Sequence, residues 1–290
     1  GDPLLNSELK LMIEYIYKNF PYIFTCITTN GIALTSEKFG YLIENKIGFI
    51  NVSINAATRK TYKRIMQVDC FDKVVENMIA LQRYKQKMNS NLPELQMSFV
   101  ANRLNIEELP ILLEIAENVN CQKINIMYCR FYPSAIRNLN LISQENILKD
   151  EFSLFYHKDL SDKIIEEVKK RAIDKNIILT TEPLFKEYNK KFECCWPFKE
   201  ILIGFNGEIY PCGGGELHFK EKIQKGIYDS GNILKEKIED IWNKKFYLDL
   251  RKTVLENIET TEDCIIPECA CCANRMIVNS KKSHIMEWVD

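Results

Sequence analysis

Residues 95–128 read LQMSFVANRLNIEELPILLEIAENVNCQKINIMY. The apolar run 95–101 has strand length, the segment from about 105 to 119 has helical character, and KINIMY at 123–128 is a second strand. Working back toward the start, a helix carries Phe71, Val74, Val75, Met78 and Leu81 on one face, preceded by the buried strand GFINVSI at 48–54. A helix from near 35 to 46 comes before that, introduced by the turn Thr29, Asn30, Gly31 and the strand YIFTCIT at 22–28. The chain opens on a helix that Ser7 can cap, with Leu9, Met12, Ile13, Ile16 and Phe20 in one stripe and Pro21 as its stop. Beyond residue 128, a helix with Ile164, Ile165, Val168 and Ala172 leads to the apolar run 177–181. Strands separated by helices call for a parallel sheet or barrel. The fold class is therefore α/β, with a first domain at 1–185.

From about residue 190 the alternation stops. Seven of the eleven cysteines lie between Cys194 and Cys272, and 190–290 is expected to be a separate metal-organised α+β domain. Within it, ILIGFNGEIYPC places Asn206 and Gly207 between two apolar runs, a hairpin signal because this pair tolerates the positive φ of a tight turn.

Composition narrows the partners. With 39 basic and 40 acidic side chains the net charge is −1, which offers no reason to expect nucleic acid or a membrane surface. A peptide or small molecule is the expected partner. No apolar run approaches a membrane span, and GDPLLNSELK lacks the basic and apolar regions of a secretory signal, so a cytoplasmic location is expected. In such a chain thiolates serve metals more often than disulfides.

A lone Cys-x2-Cys such as Cys269 and Cys272 is weak among eleven cysteines. Its conjunction with Cys195 and Cys212, arranged Cys-x11-Gly-x4-Cys around the hairpin, is stronger, because thiolates from two segments can surround one metal centre. Zinc and an iron–sulfur cluster both satisfy four such ligands. Cys26, Cys70, Cys121 and Cys129 read as small buried hydrophobes.

The segment from Cys195 through Cys212, then GNILKEKIEDIWNKKFYLDLRK at 231–252 and PECACC at 267–272, resembles the SPASM or Twitch domain of radical SAM enzymes. The resemblance implies one auxiliary 4Fe–4S cluster on Cys195, Cys212, Cys269 and Cys272, with Cys264, Cys194 and Cys271 as alternates. Gly1, Asp2 and Pro3 look like the end of that family's Gly-Gly-Glu-Pro motif, with Asp for Glu. Thr29, Asn30 and Ser53 follow at strand ends, and Arg64 lies eleven residues after Ser53. By this resemblance they contact S-adenosylmethionine, a serine hydroxyl and a guanidinium being suited to its ribose and carboxylate. The first domain is then a partial radical SAM barrel. No Cys-x3-Cys-x2-Cys occurs in the 290 residues. The expectation is a truncated enzyme whose first strand and catalytic 4Fe–4S loop belong to a full-length parent, this chain alone being inactive.

The expected function is radical chemistry on a peptide or small molecule by a 5′-deoxyadenosyl radical, with flavodoxin or ferredoxin as the electron donor the resemblance implies. A non-catalytic, zinc- or cluster-stabilised peptide-binding module is the alternative. No residue is assigned as a general acid or base, and His157, His218 and His284 read as surface residues.

Overall fold

Strands β1 (Cys26–Thr29), β2 (Phe49–Ser53), β3 (Glu94–Ala101), β4 (Lys123–Tyr128) and β5 (Ile178–Thr181) form a five-stranded, all-parallel sheet in the order β1-β2-β3-β4-β5. Helices α1 (Leu9–Asn19), α2 (Ser36–Glu44), α3 (Arg59–Met66), α4 (Phe71–Lys87), α5 (Leu109–Asn118) and α6 (Lys158–Asp174) accompany it. The computed structural model describes residues 1–129, 154–187, 196–212 and 215–256. These residues divide into two compact units at Lys186 and Glu187.

Because parallel crossovers are right-handed, a strand order that never reverses puts every crossover helix on the same face of the sheet. That face is the core, where Ile50, Val52, Met97, Phe99, Ala101, Ile124 and Ile126 are at most 1% exposed. The intervening residues point to the other face, and burial alternates along β1, β2 and β4.

The connections from α2, α4, α5 and α6 to the strands that follow them share one device. Lys46, Asn89, Asn120 and Asn176 hold positive φ between 49° and 55°. The amide one residue further on reaches back to close the last helical turn, as in Ile47 to Leu42 (3.2 Å), Cys121 to Ala116 (2.7 Å) and Ile177 to Ala172 (2.8 Å). This is the Schellman arrangement, and its usual apolar contact is made by the buried Ile47, Cys121 and Ile177.

Several expectations are corrected. Tyr22, Ile23 and Phe24 stay outside β1 and are exposed, because the Ile23 amide donates to Phe20 in a turn after Pro21. Ser7 does not cap α1; its N-cap is Glu8, whose amide donates to Asn6 Oδ1 at 2.9 Å. The helix expected from 105 divides into a 3-10 turn, Ile106–Glu108, and α5, with Pro110 in the first turn where no intrahelical N–H is needed. The polar α3 was not anticipated. Cys26 is exposed, against its reading as a buried hydrophobe.

In the second unit, α7 (Trp196–Lys199), β6 (Leu202–Ile203), β7 (Ile209–Tyr210), α8 (Gly215–Gln224), α9 (Ile238–Trp242) and α10 (Lys245–Glu256) surround a small core of Ile209, Phe219, Ile241, Phe246, Tyr247 and Leu250. The β6–β7 hairpin closes through Gly204 N–H to Glu208 O (2.8 Å) and Gly207 N–H to Gly204 O (3.0 Å). Only Gly207 has positive φ, at +82°, so this is a three-residue loop with a single left-handed glycine, not a turn that uses Asn206 in that region.

Candidate functional site

In the first unit, the site is built at the carboxyl ends of β1 and β2. Asp2 caps a one-turn 3-10 helix, Pro3–Leu5, by accepting from the Leu4 amide at 3.0 Å. The same carboxylate accepts the Thr29 hydroxyl at 3.0 and 2.8 Å and the Asn30 amide at 2.8 Å. Thr29 Oγ1 in turn accepts from Gly31 N–H at 3.1 Å, and Asn30 Oδ1 from Ile32 N–H at 2.9 Å. Asn77 of α4 donates to the Gly31 and Ile32 carbonyls at 2.9 and 3.2 Å. The structure thus brings Asp2, Thr29 and Asn30 together, with the Asp2 carboxylate occupied in holding the loop. It is a positioning group here; what the loop offers a ligand is fixed backbone.

Thr29 is in register with Val52, which puts Ser53 on the neighbouring strand end. Ser53 Oγ lies 3.1 Å from Ser98 Oγ, and the buried Ser98 also accepts Asn51 Nδ2 at 3.1 Å. Arg64 is exposed on α3. That helix is anchored by Glu108, whose carboxylate accepts the Ala57 and Thr58 amides at 2.8 and 3.2 Å and the Thr58 hydroxyl at 2.7 Å. Asn55, at φ 52°, accepts Val100 N–H through its side chain (2.9 Å), while its carbonyl accepts Asn105 Nδ2 (2.9 Å). Sequence reasoning missed Glu108, Asn55 and Asn105. The one usable signal was an asparagine just after a strand, a residue type that tolerates the left-handed region, at Asn55. Asn102 is a buried turn residue accepting Leu104 N–H at 2.9 Å, and Tyr128 stacks on Phe185 at 4.8 Å.

In the second unit, Cys212 is half-buried two residues beyond β7. Cys195, Cys269, Cys272 and the alternates Cys264, Cys194 and Cys271 lie outside the described residues. Among the described residues no three His, Cys, Asp or Glu side chains gather as a metal site.

What surrounds the hairpin is well defined. Asn232 Nδ2 donates to Asn206 O (2.9 Å) and Ile233 N–H to Gly207 O (2.9 Å). Gly231, at φ +78°, lies so close to Ile241 that a Cβ would stand 2.7 Å from its Cγ1. Arg251 lies over the Trp242 ring at 4.2 Å and donates to Trp242 O (2.8 Å) and Pro197 O (3.1 Å). One network thus ties α7, whose chain neighbour is Cys195, to α9 and α10. The sequence phrase running from Gly231-Asn232 through Ile241-Trp242 to Leu250-Arg251 is this scaffold.

Residues 1–93 match the Radical SAM superfamily, and residues 194–273 match SPASM, an iron–sulfur cluster-binding domain. The chain carries a radical SAM domain and a SPASM domain. Its fold is similar to Streptococcus suis SuiB bound to S-adenosylmethionine, with a TM-score of 0.64 and 17% identity over 92% of this chain and 59% of that one. SuiB bound to its precursor peptide SuiA gives 0.63, with 17% identity over 87% of this chain and 54% of that one. A probable GTP 3′,8-cyclase of Saccharolobus islandicus is 30% identical over 127 residues, 44% of this chain and 39% of that protein. The chain thus spans well under half of the first such relative.

The domain pair implies S-adenosylmethionine and 4Fe–4S clusters. The residues present suit both. The first unit offers fixed backbone at Asn30 and a strand-end hydroxyl at Ser53; the SPASM segment is rich in thiolates, the ligands such clusters need. Among the described residues no helix is long and apolar enough to cross a membrane.

Proposed function

We propose that this chain is the cofactor-binding and auxiliary-cluster portion of a radical SAM enzyme acting on a peptide or small molecule. What carries the reading is the presence of the radical SAM and SPASM matches on one chain. Bound by these residues, S-adenosylmethionine would supply hydrogen-abstraction chemistry at the substrate, through one-electron cleavage of its sulfur–carbon bond with release of methionine, the electron coming from a reduced 4Fe–4S cluster.

The chain's own residues have the following parts. Residues 1–185 hold the cofactor, with Gly1, Asp2 and Pro3 presenting and fixing backbone beside Thr29 and Asn30. The Ser53 hydroxyl and the Arg64 guanidinium bind its polar groups. Residues 190–290 hold one auxiliary 4Fe–4S cluster through Cys195, Cys212, Cys269 and Cys272, with Cys264 the alternate fourth ligand. The electron donor is a flavodoxin or ferredoxin. The relatives' names support two substrate kinds, a nucleotide and a peptide.

These 290 residues contain no Cys-x3-Cys-x2-Cys. A protein joining them to such a loop should release 5′-deoxyadenosine from S-adenosylmethionine on anaerobic reduction, and the 290 residues alone should not. No release from the joined protein would sink the enzymatic reading and favour a zinc-stabilised peptide-binding module; release from the chain alone would overturn the claim that it is inactive by itself.

A further inference from the structure

Arg251 is a half-buried cation that the second unit leaves without an anion. It lies over the Trp242 ring at 4.2 Å, with Nε donating to Pro197 O at 3.1 Å and Nη2 to Trp242 O at 2.8 Å. Burial pulls its pKa below the ordinary value. Two carbonyls and a ring face are dipoles that replace only part of the lost water, since none of them brings a negative charge. Among the described residues no carboxylate forms an ion pair with it. Lys244, the neighbouring half-buried cation, shows the usual solution, held by Asp229 at 2.7 Å and Glu236 at 2.6 Å.

The scaffold alone does not require that charge. Neutral donors, such as a carboxamide, could satisfy Pro197 O and Trp242 O without the cost of burying a guanidinium. What the position offers is closeness to the cysteines. Pro197 follows Cys195 by two residues, a reach of at most about 7 Å along the chain. A 4Fe–4S cluster on thiolates is anionic and gains negative charge on reduction, so a nearby cation favours the reduced form, net charge being one of the terms that set such potentials. Through protein, unlike through water, that interaction is screened little.

We propose that Arg251 is the counter-charge of the auxiliary cluster, a positioning residue that holds a guanidinium beside the segment following Cys195 and so raises the potential at which the cluster accepts an electron. The inference rests on the reading of residues 190–290 as holding one 4Fe–4S cluster, and it names what sets the redox poise of that site. Reduction here is the gain of one electron from an added reductant, with no bond made or broken.

The test uses the whole chain, reconstituted with iron and sulfide without oxygen. It is titrated with dithionite and redox mediators while the reduced cluster is followed by electron paramagnetic resonance. Because the 290 residues contain no Cys-x3-Cys-x2-Cys, the signal followed is that of the auxiliary cluster. In Arg251→Gln the ratio of reduced to oxidised cluster at the natural chain's midpoint should fall about tenfold, the scale of one charge acting across roughly 10 Å of protein. Arg251→Lys, which keeps the charge, should titrate close to the natural chain. So should Lys225→Gln, which removes an exposed charge just beyond the end of α8. An unmoved midpoint in Arg251→Gln, an equal shift in Arg251→Lys, or one as large in Lys225→Gln would overturn the proposal. If Arg251→Gln takes up no iron, recovery of the cluster in Arg251→Lys supports the counter-charge, and failure of both variants overturns it. Iron and sulfide measured on the natural chain separate the two claims. A chain without a cluster fails the underlying reading, whereas a cluster whose midpoint ignores Arg251→Gln fails this inference alone.

Discussion

Cys121 and Cys212 carry the same thiol into opposite surroundings. Cys121 is 2% exposed, closes the turn after α5 and lies 3.2 and 3.3 Å from the Leu95 and Lys123 carbonyls. Burial pushes its thiol up to about 11, against an ordinary 9.0. The native state therefore keeps its proton while the unfolded chain gives it up. This contribution to stability is whole below pH 9.0 and is lost as pH rises through about 11, amounting to about 2–3 kcal/mol. Urea unfolding should thus weaken more between those pH values in the natural chain than in Cys121→Ala; parallel profiles would refute the assignment. Cys212 stands half-buried at the hairpin exit inside the SPASM match. Replacing it by alanine should remove most of the iron from anaerobically reconstituted protein, and replacing Cys121 should remove none; equal iron in both variants would exclude Cys212 as a ligand. The reading of Cys121 as a small hydrophobe was available from its type alone. Cys26 was not readable that way, because it is exposed on the face of β1 turned away from the helices, and strand alternation does not say which face the helices will cover.

Among elements, legibility followed periodicity. The strand at 123–128 was read with its bounds as they stand, and the one at 95–101 to within a residue, because each is a short apolar run between helical segments. Of the run at 22–28, Cys26, Ile27 and Thr28 do lie in β1, whereas Tyr22, Ile23 and Phe24 do not, because apolar type does not distinguish a strand from an exposed turn. Helix α3, RKTYKRIM, was missed since it buries only Tyr62 and shows little apolar stripe. It starts at the N-cap Thr58, whose hydroxyl accepts the Thr61 amide at 3.3 Å, a capping residue passed over in the sequence. In the candidate site, Asp2, Thr29 and Asn30 were singled out by resemblance and are joined by hydrogen bonds in the structure, whereas Glu108 was passed over, since nothing local marks a carboxylate that caps a loop fifty residues away. In the second unit the left-handed Gly231 sets the segment that clamps the hairpin. Gly231→Ala would force both an unfavourable φ and a 2.7 Å contact with Ile241. We expect a loss of about 2 kcal/mol in denaturant stability, together with lower iron retention; an unaltered variant would mean that the clamp does not govern the cysteine-bearing hairpin.

At the scale of the whole molecule, the two units answer different chemistry: a parallel sheet whose strand ends gather polar groups, and a small aromatic core within the part of the sequence that is rich in cysteine. The matches to radical SAM and SPASM fall on these two units respectively. Local thiolate spacing could not choose between zinc and iron, because both accept four cysteines. The choice came from the longer phrase of glycine, asparagine, tryptophan and arginine that builds the Gly231–Arg251 scaffold. The count of auxiliary clusters is the central claim still to be met by measurement. Metal and acid-labile sulfide should be quantified per chain on protein purified without oxygen. One auxiliary cluster predicts about four irons and about four sulfides; about one zinc with no sulfide, or about eight irons, would contradict it.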